Sequence, residues 1–100
     1  MGMPSETFEF AAELWEPLSG KWVFLSLPEE VSEGIREMPR IPRGFGSVRV
    51  EVRIGGSSWA TSVFPDSRRG RYILPVKKAV RVAEQIDVGD TAQIVLTTLE

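Results

Sequence analysis

Residues 48 to 54 alternate without a break, with Val48, Val50, Val52 and Ile54 on one side and Arg49, Glu51 and Arg53 on the other. Successive side chains of a strand point to opposite faces, so this segment has one apolar and one wet face. Gly55-Gly56 follows at once, and then Ser58 to Phe64, where Trp59, Thr61 and Val63 alternate again. Paired glycines supply the positive φ angles that a two-residue turn demands, which predicts an antiparallel hairpin with a valine-lined inner face. An isolated hairpin is marginal in water, so the remaining residues must cover that face.

They read as more strands and two short helices. Thr7 to Leu14 sets Phe8, Phe10, Ala12 and Leu14 against Thr7, Glu9, Ala11 and Glu13, a strand with one wet face. Trp22 to Leu27 is a short continuous apolar run, which fits a strand covered on both faces. Pro28 suits the first turn of a helix and Glu29 and Glu30 its positive end, while Val31, Ile35 and Met38 form its apolar stripe and Gly34 weakens it. Pro39 to Gly46 reads as a loop, Pro65 to Gly70 as a polar turn, and Arg71 to Leu74 as a strand. Val76, Ala79, Val80 and Ala83 mark the buried stripe of a second helix. After a turn at Gly89-Asp90, Thr91 to Leu99 is a final β segment with Ala92, Ile94, Leu96 and Thr98 on one face. Six strands and two short helices make a mainly β, single-domain fold over residues 1 to 100.

The chain has no cysteine and no histidine, which excludes disulfides, thiolate zinc sites and the imidazole- or thiol-based nucleophilic machinery of many enzymes. No enzyme and no cofactor are expected, and the chance helical spacing of Glu29, Glu30, Glu33 and Glu37 reads as a wet face rather than a metal site. The acidic opening Glu6 and the lack of a long apolar run argue against a signal peptide or a membrane span, so a cytoplasmic location is expected. Net charge is −2, but residues 34 to 81 hold eleven Lys or Arg against three acids. A positive face on an acidic protein is one outcome, and interleaving with the acidic ends is the other.

Two runs share an order. Trp22 to Ile41 and Tyr72 to Ile86 each pass from an aromatic-led strand through proline and a short helix to isoleucine, and Ile41-Pro42-Arg43-Gly44 matches Ile86-Asp87-Val88-Gly89 forty-five residues on. The order suggests an internal duplication. Tyr72 to Arg81 followed by Val88-Gly89-Asp90 resembles the half-motif of AbrB-type swapped-hairpin proteins, in which Leu-Pro, a short helix and Gly-Asp precede a strand. Over nearly the whole chain, Phe8-Glu9-Phe10, Trp22-x-Phe24, Leu27-Pro28, Gly55-Gly56, Thr61-Ser62, Gly70-x-Tyr72 and Lys78-x-x-Arg81 resemble the bacterial domain-of-unknown-function family numbered nineteen-oh-five. That resemblance implies a double-split β-barrel and supplies no catalytic residues. Two half-barrel sets in one chain imply a monomer, with an exchanged dimer as the competing arrangement.

Candidate binding residues follow from charge. Lys77, Arg81 and Glu84 recur at helical spacing beside Lys78, which is either an anion grip or a solvated face with an Arg81–Glu84 pair. Arg68, Arg69 and Arg71 sit on the polar turn, where they could follow a phosphate backbone. Arg49 and Arg53 lie opposite the valines, and Trp59 or Phe64 bordering them would make an aromatic and cationic platform. The leading reading is a non-enzymatic module that presents an Arg-rich face to an anionic ligand or a protein partner; the alternative is a nucleic-acid-binding protein.

Overall fold

Val48, Val50, Val52 and Ile54 all turn inward and are buried, while the residues between them are exposed. The computed structural model describes residues 6–38 and 46–99. In chain order it contains β1 (Thr7–Trp15), β2 (Phe24–Ser26), α1 (Glu29–Arg36), β3 (Val48–Ile54), β4 (Ser57–Asp66), β5 (Arg71–Pro75), α2 (Lys78–Glu84) and β6 (Thr91–Thr98). The strands close into a barrel in the order β1-β2-β5-β4-β3-β6, every pairing antiparallel. Six strands and two short helices therefore stand as the sequence implies. The expected Pro39–Gly46 loop and the Ile41-x-x-Gly44 half of the repeated punctuation lie mostly or wholly outside the described residues.

The strand order maps onto itself when β1, β2 and β3 are exchanged with β4, β5 and β6. The repeat is thus strand–strand–helix–strand, one strand longer at its start than the sequence order suggests. Its axis passes through the β2–β5 junction, where Leu25 faces Leu74. The backbone bonds there are reciprocal, Leu27 N–H donating to the Tyr72 carbonyl and Val76 N–H to the Val23 carbonyl, both at 2.9 Å. Pro28 caps α1 and Lys77 caps α2 at matching places. Each half also contains a short seam: β1 meets β2 only at Leu14 and Trp15, and β4 meets β5 only from Phe64 to Asp66.

The helices lie beside those seams. Gly34 of α1 sits against Phe8, and a Cβ at Gly34 would come within 3.1 Å of the Phe8 ring, so the glycine that weakens the helix also lets it approach β1. Buried Ser32 accepts a hydrogen bond from Tyr72 N–H at 3.1 Å, and Arg36 donates to the Gly70 carbonyl at 3.2 Å. In α2 the buried stripe is narrower than expected. Val76 and Val80 are buried, but Ala79 and Ala83 are exposed, because only the Val80–Glu84 edge of this seven-residue helix faces the barrel. Glu84 accepts hydrogen bonds from Gly56 N–H and the Ser57 hydroxyl, so the Arg81–Glu84 pair does not form.

Three further expectations change. The Gly55-Gly56 turn is present, with Ile54 opposite Ser57, but only Gly55 has a positive φ, of 58°. Pro65 belongs to β4 opposite Tyr72, so the polar turn is shorter. Residues 22 to 27 are not covered on both faces: Val23, Leu25 and Leu27 are buried, whereas Trp22 is 61% exposed and Phe24 half-buried. Helices cover the ends and seams of this small barrel, so the outer face of its middle strands stays open to water.

Candidate functional site

That open face carries the aromatics. In β1 the outward series Thr7, Glu9, Ala11 and Glu13 ends on Trp15, whose cross-strand partner is Phe24. Phe24 in turn faces Pro75, and the next outward row is Ser26, Ile73 and Phe64. Directly opposed residues on an antiparallel ladder share a face, so β1, β2, β5 and β4 present one continuous surface of Trp15, Phe24, Ile73, Pro75 and Phe64. Trp22 extends it, its ring nearly parallel to that of Phe24 with centroids 6.4 Å apart. The Trp15 and Phe24 rings are 5.2 Å apart, and the Trp15 indole donates a hydrogen bond to Ser26 Oγ at 3.0 Å.

Two shallow clefts join at Phe24 and Ile73. One, of about 340 Å³, is walled by Trp22, Phe24, Phe64, Ile73 and Pro75 and is almost wholly apolar. The other, of about 580 Å³, lies between Trp15, the exposed Leu18 and the β4–β5 turn with Asp66, Arg68 and Arg69. The surface is apolar and continuous, with Trp22 and Phe64 exposed and Trp15, Phe24, Ile73 and Pro75 half-buried.

The rim is cationic. The outer face of β5 reads Arg71, Ile73, Pro75, and the Val76–Val23 bond carries the ladder one pair further, with exposed Lys77 next in the chain at the start of α2. Arg69 lies over the Trp15 ring at 3.9 Å and is held there by Asp66 at 2.7 Å. Burial alone would raise the Asp66 pKa. The Arg69 hydrogen bond, the Arg68 and Arg69 backbone N–H groups and the Arg69 charge outweigh it, and the carboxyl is held below its ordinary value of 3.8. A carboxylate whose pKa is lowered on folding stabilises the fold above the ordinary value and loses that contribution as pH falls through the lowered one. Acid titration is therefore expected to change Trp15 emission at a midpoint below 3.8, while circular dichroism still reports folded protein. Asp66→Asn should abolish the transition, and an unchanged transition in that variant would show that Asp66 does not hold the guanidinium on the ring.

The charge-based candidates divide. Arg68 and Arg69 line the larger cleft, Arg71 precedes Ile73 on the outer face of β5, and exposed Lys77 follows Pro75 by two residues. Lys78 is exposed in the first turn of α2. Arg81 folds back, its Nε donating to the Val76 carbonyl at 3.2 Å and its Nη1 lying 3.7 Å from Asp87, so it does not join a grip with Lys77 and Lys78. Arg49 and Arg53 are exposed on the outer face of β3, with Glu51 between them. Trp59 is opposite Val52 and packs on the core, because its strand parity is inward; Phe64, 40% exposed, is the aromatic on the outer face. Trp15, Trp22, Phe24, Ile73 and Pro75 are absent from the charge-based set. The sequence did carry a cue in Trp15, an aromatic at the end of an otherwise wet alternation.

Among the described residues no group of three or more acidic side chains could hold a metal, and no helix is long and apolar enough to cross a membrane. The sequence profile described as Domain of unknown function (DUF1905) matches residues 10–96. No curated protein matches the chain.

Proposed function

We propose that this chain, which belongs to the DUF1905 family, is a non-enzymatic, monomeric binding module that takes an anionic partner on the aromatic outer face of β2, β5 and β4. One observation carries the reading: Trp22 and Phe64 leave 61% and 40% of their surface in water on a sheet face whose strand β5 begins at Arg71 and is followed, past Pro75, by exposed Lys77. Burying large aromatics that folding leaves exposed is what a partner gains, and surrounding cations select its charge. Asp66 and Arg69 are paired to each other and brace Trp15, an arrangement that holds a shape rather than moves a proton. The kinship to AbrB-type proteins belongs to the same reading, with the two strand–strand–helix–strand halves standing for the two chains of such a dimer. Closure within one chain supports a monomer, and light scattering over a hundredfold dilution is expected to give a mass near 11.2 kDa. A persistent mass of twice that value would contradict it.

The binding test uses an anionic aromatic dye, 1-anilinonaphthalene-8-sulfonate, on native protein. Two anchor rings each contribute on the order of 1 kcal/mol or more, so Trp22→Ala/Phe64→Ala should weaken dye binding at least about tenfold. Arg53→Gln, on the outer face of β3, should leave it unchanged. Equal binding by all three proteins would sink the reading.

A further inference from the structure

We infer that the anionic partner is a single-stranded nucleic acid, with bases stacked on Trp22, Phe24 and Phe64 and phosphates drawn to Arg68, Arg71 and Lys77. The inference rests on the binding-module reading above and names the partner for that same face.

Two chemistries are interleaved on this surface, and a single strand needs both. Its bases offer flat apolar faces at every position, which aromatic side chains bind with little regard to sequence, and its backbone offers a charge beside each base. The rings of Trp22, Phe24 and Phe64 occupy β2, the residues leading into it and β4, with Ile73 and Pro75 between them. Cations stand at both ends of that strip, Arg71 two residues before Ile73 and Lys77 two after Pro75. Arg68 is exposed on the turn beside the larger cleft. Asp66, the acid in the cleft wall, is already neutralised by Arg69. The outer face of β1 carries Glu9 and Glu13, which directs an anion away from β1 and across β5 toward β4, where Arg49 lies opposite Ser62, two residues before Phe64 on the same face.

An acidic peptide offers the same charge but fits less well. Peptides gain affinity by adding a strand to an open sheet edge or by seating side chains in deep pockets. Here β2 is paired on both sides, by β1 and β5, and β5 by β2 and β4, so the strands that carry Phe24, Ile73 and Pro75 have no edge to extend. Its clefts are shallow. A duplex is also excluded from stacking, because its base faces are hidden within the stack.

The test is fluorescence anisotropy of labelled oligodeoxythymidylate and oligouridylate at about 50 mM salt, beside a duplex, a glutamate-rich peptide containing phenylalanine, and the naphthalene sulfonate dye. Single strands should bind, oligodeoxythymidylate and oligouridylate alike, because the face reads bases and phosphates. Trp22→Ala and Phe64→Ala should each weaken binding about 5- to 100-fold with the fold intact by circular dichroism. Arg71→Gln and Lys77→Gln should each flatten the salt dependence by about 0.7 in log–log slope. The duplex should bind at least about tenfold less tightly. Dye binding without single-strand binding would overturn the nucleic-acid inference and leave the face standing, as would binding of dye and peptide without single-strand binding. Loss of both dye and oligomer binding would overturn face and partner together. Single-strand binding that survives both ring substitutions would overturn the site.

Discussion

Leu25→Ala and Leu74→Ala are each expected to lower stability by about 2–5 kcal/mol, a large share of the roughly 5–15 kcal/mol available to a domain of this size. Both side chains are fully buried and face each other across the junction that relates the two halves of the barrel. The strand β2 is only three residues long, so few other contacts hold that wall of the core closed. Removing either leucine leaves a cavity that short strands, each running directly into a helix, cannot collapse to fill. Urea unfolding should show similar losses for the two variants, and the double variant should lose less than their sum because the residues touch. Phe24→Ala removes more atoms from the next position of β2, but from its outward, half-exposed face, and should cost less than half as much. A Phe24 loss equal to that of Leu25 would mean that the outer face is covered in solution.

Gly55→Ala is expected to cost about 1–3 kcal/mol despite the solvent exposure of the turn. Two effects combine. Gly55 has φ of 58°, where a side chain is strained, and a Cβ there would overlap Glu84 Oε1. Moving Glu84 away breaks its bonds to Gly56 N–H and to the Ser57 hydroxyl, the latter 2.6 Å long. In a Glu84→Ala background the overlap is gone while the backbone strain persists, so Gly55→Ala should cost measurably less there than in the native chain. Thermal unfolding of the four proteins reads the difference. Equal costs in both backgrounds would show that α2 is not fastened to the β3–β4 hairpin by Glu84.

Alternation was the legible part of this sequence. Val48 to Ile54 announces its inner face because polar residues separate the apolar ones, Ala92 to Thr98 does so except at the outward Val95, and both lie where that pattern puts them. The wall at Trp22 to Leu27 is misleading for the opposite reason. Its outward positions are Trp22 and Phe24, as apolar as the inward Val23 and Leu25, so periodicity cannot distinguish a strand buried on both faces from one that carries aromatics on an open face. The aromatic face was hidden by the same ambiguity, since an exposed ring looks like core until its strand neighbours are known. Charge was legible only by segment. Arg69 and Arg81 resemble their neighbours in the sequence, yet one braces Trp15 and the other folds onto its own helix, distinctions made by Asp66 and Asp87 in three dimensions.

The three tryptophans provide a direct test of whether the outer face is the proposed binding face. Trp15 and Trp22 belong to the outer face, whereas Trp59 packs against the core on the inward side of β4. Their indole N–H groups give three separate proton–nitrogen resonances, which Trp→Phe variants assign. On titration with the naphthalene sulfonate dye, the Trp22 resonance should move most, Trp15 should follow, and Trp59 should stay in place. Movement of Trp59 with Trp22 and Trp15 unchanged would place binding elsewhere on the barrel and contradict the recognition face.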